Sequence, residues 1–183
     1  GERISIATFK AQTTRHRIMG IVNTPDMQIV FSDTPGVLKP NYKLQESMLA
    51  FSESALQDAD VLLYVTDVVE NPEKNMDFLE KVQRMTIPVI LLINKIDSLN
   101  ADPSHQEKGA PRPDALLAQI VEKWHTLLPN AEILPISAKN KFGTDLLLKR
   151  IQELLPESPA FFDKDQLTDK PARFFVSGII REL

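Results

Sequence analysis

Cysteine is absent from the 183 residues, which excludes disulfides and thiolate metal sites and fits a reducing compartment. Histidine is scarce: His16, His105 and His125 are scattered and form no metal-ligand spacing. Glycine is limited to 6 residues and none is followed by lysine, so the phosphate-cradling pattern G-x-x-x-x-G-K-[ST] does not occur. Long apolar runs are missing too; stretches such as VLLYV at residues 61–65 are far too short to span a bilayer. Residues 1–10 have neither the apolar segment nor the small-residue cleavage site of a signal peptide. Nor is there an excess of positive charge, because 21 Lys and Arg stand against 25 Asp and Glu. The chain as a whole therefore makes no electrostatic case for nucleic acid, and any RNA-binding surface would be local or lie outside these residues.

What is present points to an α/β domain. The apolar fraction of 43% and charged fraction of 25% are ordinary for a globular chain able to build one core. Residues 17–22 and 27–33 read as strands joined by Thr24, Pro25 and Asp26, and so as an antiparallel hairpin. Residues 43–59 carry Leu44, Met48, Phe51 and Leu56 at near-helical spacing, which predicts an amphipathic helix. Beyond it, strands at 61–68, 89–93 and 133–136 alternate with helices at 73–85, 114–128 and 144–155. Apolar strands without polar alternation, separated by helices, predict a parallel sheet covered on both faces. Residues 98–113 read as a surface loop. The polar, proline-punctuated stretch 156–171 reads as a linker or domain boundary.

Three short motifs close predicted strands, in an order that carries chemistry. Asp33-Thr34-Pro35-Gly36 follows the second strand of the hairpin. Alone it is a common turn. In a nucleotide site, however, the aspartate can reach Mg²⁺ through water, and a glycine amide without an obstructing Cβ can approach a γ-phosphate. Asn94-Lys95-Ile96-Asp97 closes the strand at 89–93. A carboxylate here can accept from both the N1 and N2 donors of guanine, which adenine does not offer, and would be left unpaired by the wrong base. Asn94 would brace the loop and contact the base edge, and the Lys95 stem would lie along the purine face. Ser137-Ala138-Lys139 closes the strand at 133–136, with Ser137 tightening the loop and the Ala138 amide donating to guanine O6. Upstream, Thr13 and Thr14 lie in the basic stretch KAQTTRHR at residues 10–17, which by itself reads as a solvated loop. Beside the other motifs they are candidates for a first switch whose hydroxyl, Thr14 for preference, joins the Mg²⁺ shell when a γ-phosphate is present.

With these motifs in place, KAQTTRHRIMGI followed by IVFSDTPG, NKID and SAK resembles the Era family of ribosome-assembly GTPases, within the translation-factor-like class of P-loop GTPases. The resemblance runs through nearly the whole chain and is densest over residues 10–36. The run DKPARFFVSGIIRE at 169–182 resembles the start of the family's C-terminal KH-type RNA-binding domain, with Gly178 where glutamate is usual. The resemblance implies a GTPase domain over 1–155 lacking its phosphate loop and first strand, a linker over 156–171, and a truncated KH start over 172–183. Since that first strand lies mid-sheet in the family, its loss is expected to leave an exposed apolar slot and a chain that folds poorly.

The resemblance further implies GTP/GDP binding with Mg²⁺ held by Thr14 and Asp33, slow hydrolysis in the intact protein, and little activity for these residues alone. Val37 stands where Ras-like enzymes place a water-orienting glutamine, which suits a slow switch. Implied partners are small-subunit ribosomal RNA and the 30S subunit. The implied location is cytoplasmic, with possible peripheral contact on the inner membrane face. Two other readings fit the same residues: a noncatalytic docking protein derived from a GTPase, and a GTPase of the same class acting in tRNA modification or on the large subunit.

Overall fold

A computed structural model describes residues 18–34, 57–100 and 112–171. The chain divides into two compact units: Ala59–Pro156, and the residues on either side of it. The predicted helix over 43–59 lies almost entirely outside the described residues.

In the flanking unit, β1 (Ile18–Asn23) and β2 (Gln28–Asp33) form the expected antiparallel hairpin. Their register runs from Ile18 opposite Asp33 to Asn23 opposite Gln28, so four residues make the turn, closed by Thr24 N–H donating to Met27 O at 2.8 Å. Ile18, Ile21 and Ile29 are buried. Part of the stretch read as a linker lies along this hairpin. Ile21 N donates to Leu167 O at 2.9 Å, Thr168 bridges Gly20, and Met19 N donates to Asp169 Oδ1 at 2.9 Å. At the other end of the hairpin, Gln28 Oε1 accepts from the amides of Phe161 and Phe162 at 2.9 and 3.0 Å. The Met19 and Ile21 amides on the outer edge of β1 thereby find acceptors that the hairpin alone does not supply.

The central unit is a parallel sheet of β3 (Leu62–Asp67), β4 (Val89–Asn94) and β5 (Glu132–Pro135), with β4 in the middle. Ile90, Leu91, Leu92 and Ile93 are all buried, as a strand paired on both edges and covered on both faces must be. Three helices follow their strands: α1 (Met76–Gln83), α2 (Pro113–Leu127) and α3 (Thr144–Leu154). Phe78 of α1 and Trp124 of α2 both meet the ring of Tyr64 on β3, at centroid distances of 6.3 and 5.6 Å. This aromatic cluster, with Leu79 and Val82, ties both helices to the sheet.

The helix predicted over 73–85 is shorter than its apolar pattern. Asn71 Oδ1 accepts from Glu73 N and Pro72 sets the first turn, but residues Pro72–Asn75 wind as a tighter 3₁₀ turn before α1 begins. At the far end Arg84 and Met85 bond back only three residues, which closes α1 at Gln83. Likewise Ile96–Asn100, expected in part to be loop, forms a 3₁₀ turn directly after β4. No described helix is long and apolar enough to cross a membrane.

Candidate nucleotide-binding site

The carboxyl ends of three parallel strands lie side by side, which is where open α/β sheets place their ligands. Register puts Asp67 of β3 beside Asn94 of β4, and Ile93 of β4 beside Pro135 of β5. The loops leaving β4 and β5 are joined by one side chain. Asn94 Oδ1 accepts from Lys95 N at 2.8 Å and from Ala138 N at 3.0 Å, 44 residues away. A second tie lies beside it, where Ser137 Oγ donates to Asp97 Oδ1 at 2.6 Å and accepts from Asn140 N at 3.1 Å. Ser137 is buried, so both capacities of its hydroxyl are used where water could not replace them. Among the described residues, Asp97 Oδ2 has no hydrogen-bond partner.

Backbone geometry sets these loops. Ser137 and Phe142 exchange two backbone hydrogen bonds of 3.1 and 3.0 Å, closing the β5 loop on itself. The loop then turns into α3 through Gly143 at φ 76°, where a Cβ would stand 3.0 Å from Ile136 Cγ2 and 3.1 Å from Pro135 O. Only glycine meets both demands without strain. Lys95 also has positive φ, 62°, and its carbonyl accepts from Ser98 N and Oγ at 2.9 and 2.7 Å.

Two further contacts involve residues of these motifs. The Ala138 amide, read in the sequence as a donor to a base carbonyl, donates to Asn94 Oδ1 in this structure. The Lys95 ammonium reaches back to Asp67 Oδ2 at 2.7 Å, in a pair whose side chains are 62% and 20% exposed. Burial pushes the Asp67 carboxyl up, but the Lys95 ammonium and the Val69 and Glu70 amides outweigh it and hold the group below the usual carboxylate range. Asp67 was not singled out in the sequence. Its signal was positional: like Asp33, Asn94 and Ser137, it stands where an apolar strand ends.

Asp33 stands exposed at the end of β2, followed by half-buried Thr34. Lys139 is exposed in the β5 loop. Thr13, Thr14, Pro35 and Gly36 lie outside the described residues. The described residues hold no cluster of three acidic or histidine side chains that could cage a metal. A single strand-end carboxylate nonetheless fits Mg²⁺, which keeps several waters and is held by one or two carboxylates together with substrate phosphates.

Comparison with known proteins bears on this arrangement. The family model described as 50S ribosome-binding GTPase matches residues 1–95, more than half of the chain. The GTPase Era of Lactobacillus helveticus is 38% identical over 182 residues, covering 100% of this chain and 56% of that protein. The chain thus spans about half the length of the curated relatives it matches. Among solved structures, Era in complex with MgGDPNP and nucleotides 1506–1542 of 16S ribosomal RNA superposes with a TM-score of 0.83 at 34% identity, over 98% of this chain and 57% of that one. A single-residue variant of Aquifex aeolicus Era bound to GDP·AlF4⁻ gives a TM-score of 0.82 at 34% identity, with the same coverage. The strand-end loops, the P-loop GTPase fold and these matches agree: the chain belongs to the Era family of GTPases.

Proposed function

We propose that the protein binds GTP and GDP through Asn94, Asp97 and the Ser137–Lys139 loop, hydrolyses GTP slowly, and uses the nucleotide state to control binding to small-subunit ribosomal RNA during 30S assembly. The observation that carries the reading is the double tie between the two loops, Asn94 to Ala138 and Ser137 to Asp97. It places a carboxylate with an uncommitted oxygen beside a rigid backbone. A docking surface derived from a GTPase would have no use for that arrangement.

Mg²⁺, when bound, would neutralise charge on the phosphate oxygens. Asp33, and Thr14 for its hydroxyl, are the residues of this chain proposed to hold it. Asp97 would select the base, Asn94 would keep the two loops in register, and Thr34 with Gly36 would frame the γ-phosphate side. The RNA proposal draws support from the Era structure solved with 16S ribosomal RNA. A cytoplasmic location with peripheral contact on the inner membrane face is proposed from the family resemblance.

The test uses the complete gene product. Phosphate release from GTP is measured, and a labelled oligonucleotide matching the 3′ end of its small-subunit ribosomal RNA is titrated in the presence of GDPNP or GDP. Slow hydrolysis with RNA affinity that depends on the nucleotide supports the reading. RNA binding indifferent to nucleotide, with no hydrolysis, would favour the docking-protein alternative.

A further inference from the structure

We propose that Asp67 is a positioning residue for the nucleobase, holding the Lys95 ammonium so that the lysine stem forms a fixed wall for the purine face; this rests on the guanine-nucleotide reading above. Lys95 is anchored at both ends. Its amide donates to Asn94 Oδ1 at 2.8 Å, and its carbonyl accepts twice from Ser98. Its φ of 62° lies in the left-handed region, where a side chain is costly and glycine would be the cheaper occupant. A lysine kept in that conformation points to use of its side chain.

The far end of that side chain is pinned by a partner that is itself built in. Asp67 Oδ1 accepts from Val69 N at 3.0 Å, which leaves Oδ2 for Lys95 Nζ at 2.7 Å. Strand pairing sets Asp67 directly beside Asn94, one residue from the lysine backbone. The aspartate side chain is 20% exposed and the lysine 62%, so the acid is the anchor and the lysine is the held group. Between the two anchors runs a flexible four-carbon stem. Ordering it in the free protein removes a loss of freedom that nucleotide binding would otherwise incur. The carboxylate, held below its usual range, stays charged throughout the neutral and mildly acid region.

Contact with a purine face does not depend on the groups at the base edge. Releasing the stem must therefore weaken every purine nucleotide alike, whereas a change at Asp97 alters their order. The experiment is equilibrium competition of GDP and IDP against a fluorescent GDP analogue on the complete gene product, comparing wild type, Asp67→Ala, Lys95→Ala and the double variant. Asp67→Ala is expected to weaken GDP and IDP by one common factor of about fivefold, the scale of a solvent-accessible ion pair. In the Lys95→Ala background the same change is expected to do nothing, because Asp67 acts through that lysine. Asp67→Asn, which keeps an acceptor for Val69 N, is expected to lose less and guards against misfolding of the alanine variant. A loss that persists undiminished without Lys95, a changed GDP-to-IDP ratio, or full affinity in Asp67→Ala would overturn the proposal while leaving the guanine reading intact. Failure of the wild type to bind GDP would instead remove the guanine reading itself.

Discussion

Replacing Asp97 by asparagine should invert base preference. In the wild type, Asp97 Oδ1 accepts from Ser137 Oγ, whose own lone pair is used by Asn140 N. Ser137 is therefore best satisfied as a donor, and in Asp97→Asn the amide oxygen stays on Ser137 while the NH₂ group takes the place of Oδ2. That group meets the N1 and N2 donors of guanine as another donor, but it matches the C2 carbonyl of xanthine. A hydrogen bond to a charged partner contributes about 1.5–3 kcal/mol. GDP loses one such bond and XDP gains a complementary neutral one of about 0.5–1.5 kcal/mol, so the GDP-to-XDP affinity ratio should swing by about 2–4.5 kcal/mol, on the order of 30-fold to 2,000-fold. The assay is competition of GDP and XDP against a labelled nucleotide, with circular dichroism to verify the fold. An unchanged ratio in a folded variant would refute the role given to Asp97.

Three further outcomes follow from the same geometry. Ser137→Ala deprives half-buried Asp97 Oδ1 and the Asn140 amide of the buried hydroxyl that bonds both, so thermal stability should fall by about 1–3 kcal/mol and GDP should dissociate faster; a stopped-flow release rate equal to wild type would count against the tie. Gly143→Ala combines φ 76° with a Cβ 3.0 Å from Ile136 Cγ2, and should lower the melting temperature by an amount corresponding to about 1–2 kcal/mol, whereas serine at exposed Asn140 should stay within about 0.5 kcal/mol. Burial, then the charge of Glu70, pushes the Tyr64 hydroxyl up to about 12; a raised acid favours the folded state while neutral, so its contribution is complete below about pH 10 and is lost as pH climbs toward 12, which absorbance titration of tyrosinate alongside denaturant melts will follow.

The readable parts of the chain were those where one physical demand fixed the residue type. A strand covered on both faces has to be apolar throughout, so VILLIN announced β4, and the same rule located β3 and β5 within a residue or two. The turn residues between 23 and 28 announced the hairpin. The NKID and SAK loops were visible because each ends such a strand. Hidden from the sequence were matters settled by neighbours across the sheet. Nothing local in 73–85 distinguishes a 3₁₀ turn from the first turn of a helix, and Asn71 and Pro72 suit either. The partner of the Ala138 amide depends on Asn94, 44 residues earlier. Asp67 became meaningful only when parallel pairing set it beside Asn94 and within reach of Lys95. A polar stretch such as 161–169 carries no apolar pattern to reveal that its backbone follows β1, because that contact is made by backbone amides and by Gln28 and Asp169.

The central claim is that Asp97 and the tied loops around it recognise guanine. Displacement of a fluorescent GDP analogue from the complete gene product by unlabelled GDP and ADP tests it most directly. A site that hydrogen-bonds the base edge rejects a mismatched analogue by about 10⁴ or more, so ADP should compete only at concentrations at least about a thousandfold above GDP. Displacement by GDP and ADP at similar concentrations would contradict the account.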